Sequence, residues 1–352
     1  MGTRPNGKDD RVESREITTR NGSEIAFTAI GLGTGPLGEL FGKLDEKTSI
    51  ATVEAAYAAG VRLFDTSPHY GCGLAESRLG AGLRGVPRDD FILSTKIGRI
   101  MEPRGEKPAP VPGVVAFAGG YPHAARFDYS YDGAMRSVDH SLLRLGMDRL
   151  DVVLIHDCDR WTHGEAASRR FEEAMQGAYD ALDKLRAEGV VKAIGFGINE
   201  ADTCVRFARA GDFDVAMMAG RYSLLDQSGL AEFLPLALSK NIAVMVAGVF
   251  NSGILAIGST PQATYDYVAP PPEVLDKVRR LEALCAAHGV GLRQAAIRFA
   301  AMHPAVVSVV LGAVTPDEIA ANVRDAAVAI PPALWSEMKA AGLLDPAAPI
   351  PV

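Results

Sequence analysis

The segment Phe64-Asp65-Thr66-Ser67-Pro68-His69-Tyr70 begins at the end of a short apolar run and places an aspartate and a tyrosine five residues apart. Two later apolar runs also finish in an ionisable side chain, the first at Lys96 and the second at His156. If the three runs are parallel strands, their carboxyl ends meet at one edge of a sheet. The sequence therefore predicts that four reactive groups converge on one pocket.

Apolar runs of strand length alternate with amphipathic helical segments along most of the chain. The predicted strands are residues 29–32, 62–64, 91–95, 152–155, 193–196, 215–218, 243–246 and 306–310. Eight repeats of strand and helix predict an α/β fold with a parallel sheet closed into a (β/α)8 TIM barrel. An open, doubly wound sheet is the alternative. The run Gly31-Leu32-Gly33-Thr34-Gly35 does not support it, because Pro36 and no helix follow closely.

Two segments outside this alternation have their own predicted roles. Asn21-Gly22, between two strand-like stretches, predicts a β-hairpin that closes the bottom of the barrel. Residues 98–130 lack periodicity and are rich in Pro, Gly and aromatic residues, which predicts a long loop after the third barrel strand that gates the substrate site. Disorder is the alternative for that loop. We expect residues 1–15 to form a disordered tail and residues 16–345 to form one barrel domain.

Composition excludes several classes of function. The 352 residues carry a net charge of −7 without a basic stripe, which argues against a nucleic-acid partner. No apolar run approaches the ~20 residues of a membrane span, and the polar N-terminus lacks the apolar core of a signal peptide. The four cysteines lack zinc-like spacing, so we expect reduced thiols, no bound metal and a cytoplasmic location. The oligomeric state is open between monomer and homodimer.

The four ionisable residues suit acid–base catalysis when taken together. A tyrosine titrates near 10 in water and needs a nearby cation to exchange protons near neutrality. Lys96 is the candidate cation, Asp65 is placed to hold it, and His156 can hydrogen-bond a substrate oxygen. Taken alone, the lysine could terminate a strand, the aspartate could cap a loop and the histidine could be structural. Their order on three strands favours catalysis.

This ordered set resembles the tetrad of the aldo-keto reductase superfamily, and the resemblance extends from about residue 16 to residue 322. In that family an Asp, Tyr, Lys and His tetrad supports hydride transfer between a carbonyl or alcohol and a nicotinamide. The resemblance implies that Tyr70 exchanges the proton and that His156 orients the reacting oxygen. The implied substrate contacts are Tyr70, His156 and Trp161.

The resemblance also implies a cofactor site. Residues 250–255 are similar to the loop over the pyrophosphate, and residues 311–322 to the adenosine-binding motif. NADPH-preferring members carry cations at the places of Gly312 and Glu318, so this chain is expected to use NAD, with NADP as the alternative. Glu318 either binds ribose hydroxyls or is an ordinary first-turn carboxylate. The implied cofactor contacts are Thr34, Asp65, Asn199, Tyr222, Phe250, Asn251, Ser252, Gly253, Leu255, Gly312, Val314, Thr315, Glu318 and Asn322.

Local strings at 128–133, 219–225, 249–253 and 265–267 resemble a bacterial branch that contains L-fucose (D-threo-aldose) 1-dehydrogenases and a pyridoxal 4-dehydrogenase. This implies oxidation of a cyclic hemiacetal to a lactone, with an aldopyranose such as L-fucose, L-galactose or D-arabinose as substrate. Pyridoxal remains an alternative substrate. A general NADPH-linked aldehyde reductase is the other enzymatic interpretation. A non-catalytic barrel, such as a channel-associated subunit or a nucleotide sensor, is disfavoured by the intact tetrad.

Overall fold

The computed structural model describes residues 12–103 and 117–351. The strands in chain order are β1 (Ser14–Thr18), β2 (Glu24–Thr28), β3 (Ile30–Gly33), β4 (Leu63–Asp65), β5 (Ile92–Ile97), β6 (Arg99–Glu102), β7 (Ala124–Phe127), β8 (Val152–His156), β9 (Ala193–Ile198), β10 (Val215–Ala219), β11 (Ala243–Ala247) and β12 (Val306–Gly312). The α-helices are α1 (Glu46–Ala58), α2 (Leu74–Leu83), α3 (Tyr131–Leu145), α4 (Arg160–His163), α5 (Ala167–Glu173), α6 (Tyr179–Ala187), α7 (Ala201–Ala210), α8 (Phe233–Ser239), α9 (Ile254–Ile257), α10 (Pro272–Ala287), α11 (Leu292–Ala300), α12 (Pro316–Ala326) and α13 (Pro332–Ala340).

Eight parallel strands close into a barrel in the order β3-β4-β5-β8-β9-β10-β11-β12, and β12 pairs with β3. Each of the eight predicted strands is present, within one or two residues of its predicted bounds. The closed ring confirms the (β/α)8 barrel and excludes the doubly wound sheet. The strands are buried on both faces because the helices cover the outside, which is why they read as continuous apolar runs.

The N-terminal hairpin closes the barrel as predicted. β1 and β2 pair antiparallel around a turn in which Gly22 has a φ of 81°, a conformation that favours glycine. Ile25 and Phe27 of β2 are buried in one cluster with inward side chains of the barrel. The backbone N–H of Arg20 donates to the Asp214 carboxylate, 2.7 Å away and just before β10. The hairpin therefore covers the amino ends of the strands. Ser14 and Arg15 belong to β1, which corrects their assignment to the tail.

The insertion after β5 is not wholly irregular, which corrects the prediction of a loop without structure. β6 and β7 pair antiparallel and give the insertion a two-stranded base. These strands lack a regular alternation of apolar and polar residues, so the sequence did not reveal them. Residues 104–116, which fall within the predicted loop, lie outside the described residues. So do residues 1–11 of the predicted tail.

Side chains on the helices fix the position of the catalytic strand ends. The buried carboxylate of Glu76 on α2 accepts hydrogen bonds from Thr95 of β5, at 2.8 Å, and from Arg144 of α3, at 2.5 Å. Because Thr95 precedes Lys96, this contact ties the lysine's strand to two helices. Asp45 and Thr315 cap α1 and α12 as predicted, since their side chains accept backbone N–H groups of the first helical turn.

Within residues 12–103 and 117–351, no helix is both long enough and apolar enough to cross a membrane.

Candidate active site

The structure brings Asp65, Tyr70, Lys96 and His156 together at the carboxyl end of the barrel. Nζ of Lys96 donates to Oδ2 of Asp65 at 2.5 Å and to the carbonyl oxygen of Thr66 at 2.8 Å. The same ammonium lies 4.8 Å from the ring centroid of Tyr70. The rings of Tyr70 and His156 are 5.9 Å apart and nearly perpendicular. The predicted pocket is therefore formed from three adjacent strands.

The lysine and the aspartate form a buried ion pair. Burial opposes the charge on Lys96, but Asp65 and Tyr70 together raise the pKa of this lysine above its usual value. Burial also raises the pKa of Asp65, while Lys96 and a 2.8 Å hydrogen bond from Ser94 act in the opposite direction. Lys96 thus remains a cation at neutral pH.

The phenol of Tyr70 is subject to two opposed effects. Burial raises its pKa, and the charge of Lys96 lowers it, with burial the larger. Lys96 thus acts on the pKa of Tyr70 in the expected direction, but the effect of burial outweighs it and the net pKa lies above the ordinary value. Lys96 limits how far burial raises that pKa. The backbone of Tyr70 and Gly71 lies in close contact with a neighbouring loop, since a Cβ at Gly71 would overlap the backbone of Gly38.

His156 is neutral and held from one side. Burial lowers its pKa well below the ordinary value, the nearby cations Lys96 and Arg99 add to this, and Asp157 opposes them. Oγ of Ser67 lies 3.1 Å from Nδ1 of the ring, and Nη1 of Arg99 lies 3.4 Å from the same nitrogen. A neutral imidazole with one N–H can donate a hydrogen bond to a substrate oxygen.

A second set of polar groups surrounds His156, and the sequence analysis missed their role. Arg99 donates to Asp157 at 2.8 Å, and Asp157 lies 3.3 Å from Nε2 of His156. The ring of His69 lies 6.2 Å from that of His156, and burial lowers the pKa of His69 to about 3. The position of Asp157, directly after a strand-end histidine, was the only sequence signal for this set.

The insertion contributes an aromatic wall, as its composition predicted. The ring of Phe117 lies 5.2 Å from that of His69 and 6.1 Å from that of Tyr70. The backbone N–H of Tyr121 donates to the carbonyl oxygen of Gly71 at 2.9 Å. The end of the insertion is therefore attached to the segment that carries Tyr70. Gating by this segment stays a prediction.

The loop after β11 is tightly turned. Asn251, Ser252 and Gly253 all have positive φ values, of 46°, 64° and 110°. The backbone N–H groups of Asn251 and Gly253 donate within the loop, to the carbonyl oxygens of Gly248 and Phe250 at 2.9 and 3.0 Å. Among the described residues, Oδ1 of Asn251 and Oγ1 of Thr34 are buried without a hydrogen-bond partner. Buried polar atoms are normally paired, so these two fit a site that a polar ligand completes.

The segment after β12 differs in part from the expectation. Oε2 of Glu318 accepts the backbone N–H of Val314 at 2.8 Å, so this carboxylate stabilises the loop. Asn322 is buried and its amide donates to the carbonyl oxygen of Gly312 at 3.2 Å. A Cβ at Gly312 would lie 2.7 Å from Cγ of Pro36, so a larger residue there requires the proline ring to move. Glu318 and Gly312 are exposed, and neither position carries the lysine or arginine that NADPH-preferring members of the family have there.

Three other predicted contacts are modified. Tyr222 is buried and packs on Phe299 with ring centroids 5.0 Å apart, and its hydroxyl has no hydrogen-bond partner among the described residues, so its contact with a cofactor stays a prediction. The side-chain nitrogen of Asn199 donates to Asp157 and Asp159, each at 3.0 Å. Trp161 lies on α4 and is 37% exposed.

The remaining predicted cofactor residues lie in these two loops. The side chain of Leu255 is buried in the core, whereas Phe250, Ser252, Gly253, Val314 and Thr315 are partly exposed. Thr315 also caps α12. The loops after β11 and β12 therefore present most of the predicted set.

A buried cluster of Asp65, Tyr70, Lys96 and His156 at the carboxyl end of a (β/α)8 barrel fits the acid–base chemistry of an oxidoreductase. The chain belongs to the aldo/keto reductase family, whose model matches residues 29–342. Enzymes of this family use a nicotinamide cofactor. The buried side-chain oxygens of Thr34 and Asn251, which have no hydrogen-bond partner among the described residues, are consistent with contacts to such a cofactor.

Two enzymes are similar to the chain over nearly their whole length. D-threo-aldose 1-dehydrogenase of Pseudomonas sp is 39% identical over 322 residues, 91% of this chain and 95% of that enzyme. Pyridoxal 4-dehydrogenase of Microbacterium luteolum is 38% identical over 327 residues, with the same coverage. L-galactose dehydrogenase of Arabidopsis thaliana is 28% identical, over 88% of this chain and 87% of that enzyme. The chain is therefore an oxidoreductase with dehydrogenase relatives.

Solved structures share the fold. An aldo-keto reductase from Bacillus halodurans, in its holo form, has a TM-score of 0.74 at 22% identity and covers 95% of this chain and 97% of its own. Glycerol dehydrogenase from Gluconobacter oxydans has a TM-score of 0.72 at 20% identity, with coverage of 97% and 98%. At these identities the likeness shows the barrel alone.

Proposed function

We propose that the protein is an NAD-linked dehydrogenase that oxidises the anomeric carbon of an aldopyranose, such as L-fucose, L-galactose or D-arabinose, to a lactone. The observation that carries this proposal is the 39% identity to D-threo-aldose 1-dehydrogenase over nearly the full length of both chains. The polar groups beside His156 suit a hydroxylated substrate, and Phe117 offers an apolar face for a sugar ring.

Each residue of the tetrad has a separate role in the proposed oxidation. Nε2 of His156 donates to the oxygen on the reacting carbon and fixes its position. Tyr70 accepts the hydroxyl proton as the carbon is oxidised, and the cation of Lys96 stabilises the phenolate that precedes this transfer. Asp65 holds Lys96 in place through the 2.5 Å ion pair. The nicotinamide, when bound, accepts the hydride.

The preference for NAD rests on the segment after β12. A 2′-phosphate needs cations, but this segment offers the Glu318 carboxylate and the side-chain-free Gly312. Pro36 occupies the space that a side chain at Gly312 would need. We also propose that the enzyme acts in the cytoplasm as a monomer or homodimer. Cys158, Cys204 and Cys285 form no disulfide, as is usual in a reducing compartment.

Pyridoxal is a second candidate substrate, favoured by the 38% identity to pyridoxal 4-dehydrogenase and by the aromatic side chains near the tetrad. Steady-state assays with aldopyranoses, pyridoxal and open-chain aldehydes, each with both cofactors, separate the candidates. We expect a lactone formed with stoichiometric NADH. NADPH-dependent reduction of open-chain aldehydes without oxidation of either hemiacetal would identify a general aldehyde reductase instead.

A further inference from the structure

Asp157 lies beside Nε2 of His156 without belonging to the tetrad. Its backbone has a φ of 49° and its N–H donates to the carbonyl oxygen of Gly197. Its Oδ2 accepts a hydrogen bond from Arg99 at 2.8 Å, and its Oδ1 accepts one from Asn199 at 3.0 Å. Oδ1 also lies 3.3 Å from Nε2 of His156. The carboxylate is thus fixed from two sides and turned toward the catalytic imidazole.

The hydrogen-bond network determines which nitrogen of His156 carries the proton. The guanidinium of Arg99 can only donate, and it lies 3.4 Å from Nδ1. Oγ of Ser67 accepts the backbone N–H of His69 at 3.1 Å, so its own proton is available for Nδ1. Nδ1 is therefore the acceptor, and Nε2 of the neutral ring bears the hydrogen. A donor on His156 and an acceptor on Asp157 consequently lie side by side.

This pair matches two neighbouring hydroxyl groups. A substrate whose reacting oxygen accepts the Nε2–H lies close to Oδ1 of Asp157. A hydroxyl on the adjacent carbon can then donate to Oδ1. The 3.3 Å between the two protein atoms is close to the separation of oxygens on adjacent carbons. A substrate without that second hydroxyl does not supply this additional hydrogen bond to the charged carboxylate.

We propose that Asp157 is a specificity-determining residue that selects substrates with a hydroxyl on the carbon next to the reacting carbon, which in an aldopyranose is the 2-hydroxyl. Arg99 and Asn199 position the carboxylate for this contact. The inference rests on the proposed function, because it takes the anomeric carbon as the reacting centre. Asp157 would recognise the neighbouring hydroxyl, whereas Tyr70, Lys96 and Asp65 serve the proton transfer.

The test compares L-fucose with 2-deoxy-L-fucose. In the wild type, kcat/KM for L-fucose should exceed that for the 2-deoxy sugar by about tenfold to a hundredfold, as expected for a hydrogen bond to a charged group. Asp157→Gly removes the acceptor, and glycine adopts the positive φ without strain. The ratio should then fall to about one. Asp157→Asn also tolerates this φ and keeps a neutral acceptor, so its ratio should be intermediate.

The outcomes are distinct. A purely structural role for Asp157 predicts that both sugars lose the same factor and the ratio survives in the glycine variant, which would overturn the inference. If the wild type has equal kcat/KM values for L-fucose and 2-deoxy-L-fucose, the inference is overturned without any variant. The test therefore does not depend on whether the variants fold. A wild type that oxidises neither sugar contradicts the proposed function, and the inference with it. Thermal unfolding and NAD affinity report separately on the integrity of each variant.

Discussion

Ser67 and His156 are joined by a contact of 3.1 Å between a hydroxyl oxygen and Nδ1 of the imidazole. The two residues come from different strand ends, and the hydroxyl is buried. The contact, together with Arg99, holds the ring on its Nδ1 side, and Nε2 lies 3.3 Å from Oδ1 of Asp157. We therefore expect Ser67 to act on the reaction through His156.

We predict that Ser67→Ala lowers kcat by about tenfold, the usual effect of one lost hydrogen bond, because the ring can then adopt the unproductive tautomer or orientation. Cofactor affinity should not change. NMR of the imidazole nitrogens reports the tautomer directly. Ser336→Ala is the matched control, since it removes a hydroxyl that bonds within α13. A variant with wild-type kcat would show that the hydroxyl does not position His156.

Tyr70→Phe should abolish turnover and leave cofactor binding nearly intact. The change removes the phenolic oxygen and keeps the ring between Phe117 and His156. General acid–base catalysis typically supplies about 10²–10⁴-fold, so more than about a hundredth of wild-type kcat would exclude Tyr70 as the proton acceptor. Steady-state kinetics give kcat, and a fluorescence titration gives cofactor affinity.

Lys96→Met should shift the pH profile of oxidation. Lys96 lowers a pKa of Tyr70 that burial raises, so its removal should raise that pKa further. Oxidation needs the deprotonated phenol, and its pH-dependent rise should therefore move to higher pH. An unchanged profile would mean that another cation acts on Tyr70.

The same substitution should destabilise the fold, because it leaves the buried carboxylate of Asp65 without its partner. Breaking a buried ion pair typically costs about 3–5 kcal/mol. Adding Asp65→Asn to Lys96→Met should recover part of the loss in denaturant unfolding. A double variant less stable than the single one would mean that Asp65 is stabilised mainly by other groups, such as Ser94.

The wild type should prefer NAD, and Glu318→Arg should weaken or reverse this preference by about tenfold or more in kcat/KM, the usual effect of one charged hydrogen bond. A cation at Gly312 is a poorer choice, because its Cβ would meet Pro36. Glu318→Gln is the control, since it removes the charge and keeps an acceptor for the Val314 N–H. A wild type that prefers NADP contradicts this prediction.

The barrel and the convergence of the tetrad were predictable because both follow from local patterns. An apolar run that ends in Asp65, Lys96 or His156 shows the strand and the side chain together, and parallel order brings the ends to one edge. The β6–β7 hairpin was not predictable, because its strands do not alternate.

The groups around His156 were missed for a different reason. Arg99, Asp157 and Ser67 act through contacts between residues 57 to 89 positions apart, and no local pattern records such contacts. The opposing effect of burial on the pKa of Tyr70 was not predictable either, because the extent of burial depends on packing by distant segments such as the one with Phe117.

Tyr129, at the exit of the insertion, is fully buried, and its hydroxyl donates to the carbonyl oxygen of His156 at 2.7 Å. At the entry, Arg99 holds Asp157. Both junctions of the insertion are therefore fastened to the end of β8. Neither contact involves the stretch between β6 and β7. We therefore expect that segments from relatives can replace this stretch and alter the range of substrates, while the contacts of Arg99 and Tyr129 preserve the reaction centre.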